Sequence, residues 1–190
     1  MLNRYDQLLT VIDLIKPRSI VEVGTWNGQN AIRMIKQAQK YRKHVVYIGY
    51  DLFETANDTT DSEELNVKGH HNVHDVEAAI RKECPDAEIQ LIKGNTRDTL
   101  THVARDFAYV DGGHSLETIA SDYERVKHSK VVVLDDYYVA DKEGKGPDTD
   151  LYGCNKLVAT LRNALILPVG GKVKDGGVTM MALVVGGAYE

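Results

Sequence analysis

Residues 21–30, VEVGTWNGQN, decide the fold of this chain. They join an apolar run at residues 19–23 to a segment whose apolar residues recur at helical spacing, namely Ala31, Met34, Ile35 and Ala38. Gly24 and Gly28 allow the backbone to turn sharply between the two, and to come close to a ligand before a helix begins near Asn30. The stretch therefore predicts a strand, a tight turn and a helix, the repeating unit of doubly wound α/β sheets.

The same alternation continues along the chain. Further short apolar runs predict parallel strands: VVYIGY at 45–50, EIQLI at 88–92, FAYV at 107–110 and VVVL at 131–134. Helical spacing recurs in three other stretches, residues 5–15, 116–123 and 157–161. Two last runs, at 165–169 and 178–185, flank a glycine-rich turn and predict a hairpin. We therefore predict a Rossmann-like, doubly wound α/β sheet of seven strands, mostly parallel with an antiparallel C-terminal hairpin strand, in one domain over residues 1–190.

Composition and charge restrict the class of protein. The 190 residues are 43% hydrophobic and 27% charged, which is enough to bury a core. A net charge of −5 disfavours a nucleic-acid partner and favours a small-molecule substrate. Cys84 and Cys154 are isolated, which indicates free thiols in a reducing compartment. Asp6 and Asp13 interrupt the apolar N-terminus, so we expect a cytoplasmic protein without membrane contact; a homodimer is left open.

Two polar stretches predict long loops. Residues 54–72 are rich in Asp, Thr and Glu, and residues 140–153 contain EGKGPDTD. Loops of this length are lids or plain surface loops, and the sequence leaves both alternatives open. A histidine-rich cluster overlaps the end of the first stretch and fits a solvated loop better than a metal site, namely His70, His71 and His74.

Polar or small residues follow each of the five predicted parallel strands: Glu22, Gly24 and Gly28, then Asp51, then Asn95 and Thr96, then Asp111, then Asp135 and Asp136. The carboxyl ends of parallel strands share one edge of a sheet, where ligands bind in open α/β folds. The sequence therefore predicts one ligand site that draws on all five strand ends.

The turn after the first strand indicates the kind of ligand. Its spacing is G-x-x-x-G rather than G-x-G-x-x-G, and Glu22 would repel a pyrophosphate, so NAD is disfavoured and a cationic or zwitterionic ligand is favoured. Asp51 can accept hydrogen bonds from both hydroxyls of a ribose, which indicates an adenosine group. Trp26 packs either on the ligand or over the sheet edge. The predicted cofactor-binding residues are Glu22, Gly24, Thr25, Trp26, Gly28, Asp51, Leu52, Asn95, Thr96 and Asp111.

Four segments carry a family resemblance: VEVGTWNG at 21–28, GYDLF at 49–53, YVDGGHSLETIASDYERV at 109–126 and VVVLDDY at 131–137. They resemble class I S-adenosylmethionine-dependent methyltransferases, and within that class the metal-dependent small-molecule O-methyltransferases of the macrocin and cephalosporin-pathway type. The resemblance implies S-adenosylmethionine near Gly24, Asp51 and residues 95–96. It also implies His114 as the base and a divalent metal on three aspartates, Asp111, Asp135 and Asp136. Tyr50 and Leu116 depart from the family pattern.

Elementary chemistry favours the same residues. Asp111, Asp135 and Asp136 offer the hard oxygen ligands that suit Mg²⁺, and a hydroxyl bound to the metal loses its proton more easily. His114 could accept that proton near neutral pH, which makes His114 and Asp111 the predicted catalytic residues. Helix and turn capping is the alternative role of the three aspartates. Asp122 is expected to orient a neighbouring group or the glycine turn.

Three functions stay open at this point. They are a metal-assisted O-methyltransferase, a protein that binds S-adenosylmethionine without catalysis, and an NAD-dependent oxidoreductase. The missing G-x-G-x-x-G turn disfavours the oxidoreductase. Only the three aspartates and His114 favour catalysis over binding without catalysis. The acceptor atom, oxygen or nitrogen, is not determined by the sequence.

Overall fold

The predicted strands form one mixed sheet in the computed structural model, which describes residues 3–64, 66, 68–140, 152–172 and 176–186. The strands are β1 (Ser19–Val23), β2 (Val46–Asp51), β3 (Glu88–Lys93), β4 (Phe107–Val110), β5 (Val131–Ala140), β6 (Ala164–Ile166), β7 (Gly171–Lys172) and β8 (Val178–Val185). Their spatial order is β3-β2-β1-β4-β5-β8-β6, and the two-residue β7 pairs with β8. β1 to β5 are parallel, whereas β8 is antiparallel to β5, β6 and β7. The predicted doubly wound sheet and its antiparallel C-terminal strand are confirmed.

Helices cover both faces of this sheet. They are α1 (Arg4–Ile15), α2 (Gln29–Gln39), α3 (Asp58–Glu63), α4 (Val73–Glu83), α5 (Thr96–Thr99), α6 (Leu116–Val126) and α7 (Gly153–Thr160), with a 3₁₀ turn at Phe53–Thr55. A capping box between Asn3 and Asp6 starts α1, and the left-handed Lys16 ends it directly before Pro17. These caps explain why the first predicted helix has the observed bounds.

The apolar core divides into one layer on each side of the sheet. Residues of α1, α2 and α4 pack on one face, among them Leu8, Ile12, Met34, Ile35 and Ile80. Residues of α6 and α7 pack on the other face, among them Ile119, Val126, Cys154 and Leu157. Both thiols, Cys84 and Cys154, are buried and free, as predicted. Within the described ranges, no helix is long and apolar enough to cross a membrane.

Several sequence-based expectations need correction. Among the described residues the sheet has eight strands instead of the predicted seven, because the two-residue β7 adds to it. The predicted loop at 54–72 contains α3, and α4 follows it, although neither helix was predicted. The fifth strand does not end at Leu134, because β5 continues to Ala140 beyond a register shift against β8. Asp135 and Asp136 therefore lie at a bulge within the strand, where Asp136 has a φ of 54°. Of the second predicted loop, residues 141–151 lie outside the described residues.

Candidate active site

A cleft of about 340 Å³ opens at the carboxyl ends of β1, β2 and β4. The chain runs from β1 outward to β2 and β3 and then returns to β4 on the other side of β1. This reversal is the switch point at which open α/β sheets bind their ligands. The cleft is lined by His114 and by eight of the ten predicted cofactor-binding residues: Gly24, Thr25, Trp26, Asp51, Leu52, Asn95, Thr96 and Asp111.

Gly24 permits a close approach between two loops of the cleft. Its φ is +89°, and a Cβ atom at this position would lie 2.0 Å from the backbone oxygen of Asp111. The Gly24 amide also donates to the carbonyl of Tyr50 at 2.8 Å, which fixes the turn against the end of β2. Only glycine fits this combination of space and backbone conformation.

Gly28 and Glu22 do not line the cleft, contrary to expectation. Gly28 precedes α2 at a φ of +77°, and a Cβ there would lie 3.0 Å from the side chains of Val76 and Ile80. Glu22 is fully buried within the sheet, where the Tyr47 hydroxyl donates to its carboxyl group. Burial raises the pKa of Glu22 well above its ordinary value. Glu22 shares the face of Ile20 in β1, so its side chain is part of the core instead of the turn.

Asp51 at the end of β2 organises the adenosine side of the predicted site. Its Oδ2 accepts from the backbone amide of Trp26 at 2.7 Å, and its Oδ1 accepts from the amide of Phe53 at 2.7 Å. Each carboxylate oxygen can accept more than one hydrogen bond, so both retain capacity for a ligand hydroxyl. Asp51 thereby fixes the left-handed Trp26, whose φ is 48°, and still faces the cleft.

A segment that we call the cover segment, residues 56–64, 66 and 68–70, forms one wall of the cleft. Glu64 fastens it to the start of α6, because its carboxylate accepts from the Ser115 amide at 2.9 Å and from the Thr118 hydroxyl. Trp26 fastens its other end, since the indole Nε1 donates to the carbonyl of Gly69 at 2.8 Å. Glu64 is far from α6 in sequence, so no local pattern indicated this contact.

The histidine cluster lies at the end of this wall and beside it. His70 lies 2.9 Å from Asp61 of α3, and the His71 ring meets the edge of Trp26 with centroids 5.5 Å apart. His74 lies in the first turn of α4 and is exposed. Their contacts are those of a folded surface segment.

The three predicted aspartates do meet, at the end of the cleft beside β4 and β5. The hydroxyl of Tyr109 lies 2.7 Å from Oδ2 of Asp135 and 3.2 Å from Oδ2 of Asp111. His114 joins them, because its Nδ1 lies 3.4 Å from Oδ2 of Asp136. The sequence therefore identified residues that come together in space.

Arg4 is the member of this cluster that sequence analysis missed. Its Nη1 atom lies 2.9 Å from Oδ1 of Asp135 and 2.7 Å from Oδ1 of Asp136, and it also donates to the Thr179 hydroxyl. Arg4 is the first residue of α1 and its side chain is only 10% exposed. Nothing in the local pattern around residue 4 pointed to a partner more than 130 residues away.

Burial and charge together set the protonation of the cluster. Burial, assisted by the charges of Asp111 and Asp136, raises the pKa of Asp135 well above its usual range. Burial also raises the pKa of Asp111 to about 6. Asp136 behaves differently: burial opposes its charge, but His114 and Arg4 hold the pKa of this carboxyl below its ordinary value. Asp136 is therefore charged at neutral pH.

The arrangement does not fit the magnesium ion that the sequence predicted on Asp111, Asp135 and Asp136. A divalent ion needs several carboxylate oxygens free to converge on one point. Here one oxygen of Asp135 and one of Asp136 contact the Arg4 guanidinium, and the other Asp135 oxygen faces Tyr109. In the part of the chain that the structure describes, no three His, Cys, Asp or Glu side chains form a group that could hold a metal ion.

Two buried side chains, Asp122 and Tyr138, border the site. Asp122 of α6 is fully buried and lines the cleft beside Gly112, since its Oδ2 would lie 3.7 Å from a Cβ atom added to that glycine. Burial raises the pKa of Asp122 to about 6. Tyr138 is buried and stacks on Tyr152, with ring centroids 4.3 Å apart. Tyr152 in turn meets the edge of the His114 ring, so this pair forms the aromatic border of the aspartate cluster.

Comparison with known proteins agrees with this Rossmann-like fold. A family model described as a methyltransferase domain matches residues 21–137, which is more than half of the chain. The chain therefore belongs to this methyltransferase family, and the resemblance noted in the sequence is confirmed at the level of a methyltransferase domain. No match was found among curated protein sequences.

Several solved structures are similar over nearly the whole chain. An O-methyltransferase from Bacillus cereus, solved with SAH, is 13% identical with a TM-score of 0.61, and the match covers 96% of this chain and 80% of that one. The O-methyltransferase TomG from Streptomyces achromogenes, solved with SAM, is 16% identical with a TM-score of 0.58 and coverage of 96% and 79%. The O-methyltransferase NovP is 17% identical with a TM-score of 0.61 and coverage of 95% and 79%. At such identities the likeness shows the fold alone.

Proposed function

We propose that this protein binds S-adenosylmethionine in the cleft and transfers its methyl group to a hydroxyl of a small molecule. One observation carries the proposal: a single cleft joins the glycine turn and Asp51 at one end to His114, paired with Asp136, at the other. The first end suits a nucleoside with a cationic group, and the second suits removal of a proton. Membership of the methyltransferase family supports joining the two into one reaction.

Residues at the ends of β1, β2 and β3 would hold the cofactor. The missing side chain of Gly24 keeps the cleft open next to Asp111, and Asp51 presents a carboxylate that suits ribose hydroxyls. Asn95 and Thr96 line the neighbouring wall. Bound there, S-adenosylmethionine would supply an electrophilic methyl group. The SAM and SAH seen in TomG and in the Bacillus cereus O-methyltransferase support this choice of cofactor.

His114 is the proposed general base. A carboxylate facing Nδ1 favours the tautomer that carries its proton on that nitrogen, which leaves Nε2 to accept the proton of an acceptor hydroxyl. Asp136 provides this carboxylate at 3.4 Å, and its lowered pKa keeps it charged. Proton transfer of this kind contributes about 10²–10⁴-fold to a rate. Holding the acceptor beside the cofactor adds to this by orienting the two reactants.

The test is turnover of S-adenosylmethionine by the full chain with a panel of phenols, catechols, sugars and amines. Mass spectrometry would follow S-adenosylhomocysteine and the acceptor that gains a methyl group. We expect methylation of a hydroxylated acceptor, reduced about 10²–10⁴-fold in His114→Ala. Methylation of amines only would overturn the hydroxyl assignment. Cofactor binding without turnover on any acceptor would favour the non-catalytic alternative.

A further inference from the structure

We infer that Arg4 is the resident cation of the aspartate cluster and makes methyl transfer by this protein independent of a divalent metal. The catalytic part of this inference, that methyl transfer needs no divalent metal, rests on the proposed function. Its structural part, that Arg4 occupies the place of a metal ion, stands without it. Arg4 touches neither cofactor nor acceptor in this assignment, so it is a positioning residue.

The guanidinium meets the same oxygens that a metal would need. A single nitrogen, Nη1, lies 2.9 Å from Asp135 Oδ1 and 2.7 Å from Asp136 Oδ1. A cation bridging two adjacent carboxylates in this way satisfies them without a second cation. A divalent ion could reach these oxygens only if the arginine side chain left.

The surrounding structure is shaped to keep Arg4 in place. Its Nη2 donates to the Tyr5 hydroxyl at 3.0 Å, and Nη1 also donates to the buried Thr179 of β8. Gly171 of β7 leaves room for the stem, because a Cβ there would lie 3.1 Å from Arg4 Cδ. Although burial opposes its charge, Asp135 and Asp136 raise the pKa of Arg4, so the guanidinium is charged. Elements from both ends of the chain thus build one cation site.

Asp136 connects Arg4 to His114, because its carboxylate contacts both side chains. Its Oδ1 faces Arg4 at 2.7 Å, and its Oδ2 faces His114 Nδ1 at 3.4 Å. Its backbone has a φ of 54°, a left-handed conformation that is unfavourable for aspartate unless contacts hold it. The Asp136 amide donates to Asp135 Oδ1 at 2.8 Å, which couples the two carboxylates. Arg4 therefore holds Oδ1 of Asp136, and through this carboxylate it helps to orient the histidine ring.

A guanidinium and a metal ion would act differently at this place. A metal ion binds the acceptor oxygen directly and promotes loss of its proton. The nitrogens of Arg4 already contact Asp135, Asp136, Thr179 and Tyr5, so Arg4 serves by neutralising buried carboxylates and holding Asp136. Deprotonation is then left to His114 alone.

The experiment compares the wild-type chain with Arg4→Ala, Arg4→Lys and the control Arg18→Ala, which changes an exposed arginine. Manganese binding is measured by electron paramagnetic resonance and calorimetry, and methyl transfer is measured with EDTA or with added Mg²⁺. We expect the wild-type and Arg18→Ala to bind no manganese and to be insensitive to EDTA. Arg4→Ala should gain manganese binding through the freed carboxylates and lose about 10–100-fold in kcat, with the KM for S-adenosylmethionine unchanged. Added Mg²⁺ should restore part of this loss.

Arg4→Lys keeps a positive charge, and we expect it to exclude manganese and to retain more activity than Arg4→Ala. Manganese binding by the wild-type at this cluster would overturn the structural part of the inference, and loss of wild-type activity in EDTA would overturn its catalytic part. Neither result depends on any variant being folded. Failure of the wild-type to methylate any acceptor would count against the proposed function only. The manganese measurement needs no turnover and would still decide whether Arg4 excludes a metal ion.

Discussion

The two ends of the cleft are built in different ways. The end proposed for the cofactor is assembled from residues at or just after the ends of β1, β2 and β3, among them Gly24, Asp51 and Asn95. The other end depends on long-range contacts, because Arg4 of α1 meets Asp135 and Asp136 of β5. Local sequence patterns therefore encode the first end, whereas the contacts of Arg4 at the second end are evident only in the folded chain. Changes at the two ends should accordingly affect different measurable properties.

The largest effect is expected at the cofactor end, for Gly24→Ala. The new Cβ would clash with the Asp111 backbone 2.0 Å away, in a backbone conformation that alanine rarely adopts. We expect a loss of about 3–5 kcal/mol in the free energy of unfolding, measured by urea denaturation. Gly69→Ala is the matched control, because nothing lies within 4 Å of its added Cβ. Equal stability of the two variants would contradict the close approach described for Gly24.

At the opposite end, His114→Ala should separate catalysis from binding. Because His114 is the proposed base, kcat should fall about 10²–10⁴-fold. The Kd for S-adenosylmethionine should stay within a factor of about 2, since a free energy change below 0.5 kcal/mol is expected when no contact is lost. Steady-state kinetics and calorimetry check the two values. A large loss of cofactor affinity would mean that the two ends are not separable.

Between the two ends, Asp122 should make stability depend on pH. Its pKa is about 6 in the folded chain against an ordinary value of 3.8, so the folded state binds the proton more tightly than the unfolded state. The free energy of unfolding should therefore fall as pH rises from about 4 to 6 and then level off.

Asp122→Asn removes this dependence. The variant should be more stable than the wild-type by about 3 kcal/mol at most above pH 6, and equally stable near pH 3. Urea denaturation across this pH range measures the difference, with the exposed Asp86→Asn as control. A pH-independent difference between Asp122→Asn and the wild-type would show that the buried carboxyl group is not its cause.

The smallest effect concerns the cover segment. Trp26→Phe keeps an aromatic ring but removes the indole Nε1–H, which donates to the carbonyl oxygen of Gly69 at 2.8 Å. Losing one such hydrogen bond at a partly exposed site should cost about 0.5–1.5 kcal/mol. We expect faster hydrogen exchange at residues 68–70 and a modest increase in the Kd for S-adenosylmethionine. Unchanged exchange in this segment would show that Trp26 does not hold it.

Much of the fold follows from residues 19–38, because the apolar run, the two glycines and the helical spacing agree on one supersecondary unit. The bulge in β5 was not predictable in this way. In the sequence, two consecutive aspartates are typical of the end of a strand. In the structure, β5 continues past them because the residues on both sides of the two aspartates pair with β8. Likewise α4 follows a polar stretch that obscures the spacing of Val73, Val76 and Ile80.

The candidate site was predictable to the extent that its residues lie at strand ends. Asp51, Asp111 and His114 were predicted because they lie at or shortly after the carboxyl ends of strands, where ligands bind in this type of fold. Glu22 was assigned to the cleft because it precedes the turn. That assignment did not take account of the alternation of side chains along β1, which directs Glu22 into the core. Arg4 and Glu64 carry no local signal, since each acts on residues more than 50 positions away.

Calorimetric titration with S-adenosylmethionine tests the central claim most directly, using the wild-type, Asp51→Ala, His114→Ala and Asp86→Ala. The account predicts that the wild-type, His114→Ala and the control Asp86→Ala bind with similar affinity. Asp51→Ala should bind about 10–100-fold more weakly, because it loses hydrogen bonds to a charged group. Absence of binding to the folded wild-type, or equal affinity of Asp51→Ala and the wild-type, would contradict the assignment of the β1–β2 end of the cleft to the cofactor.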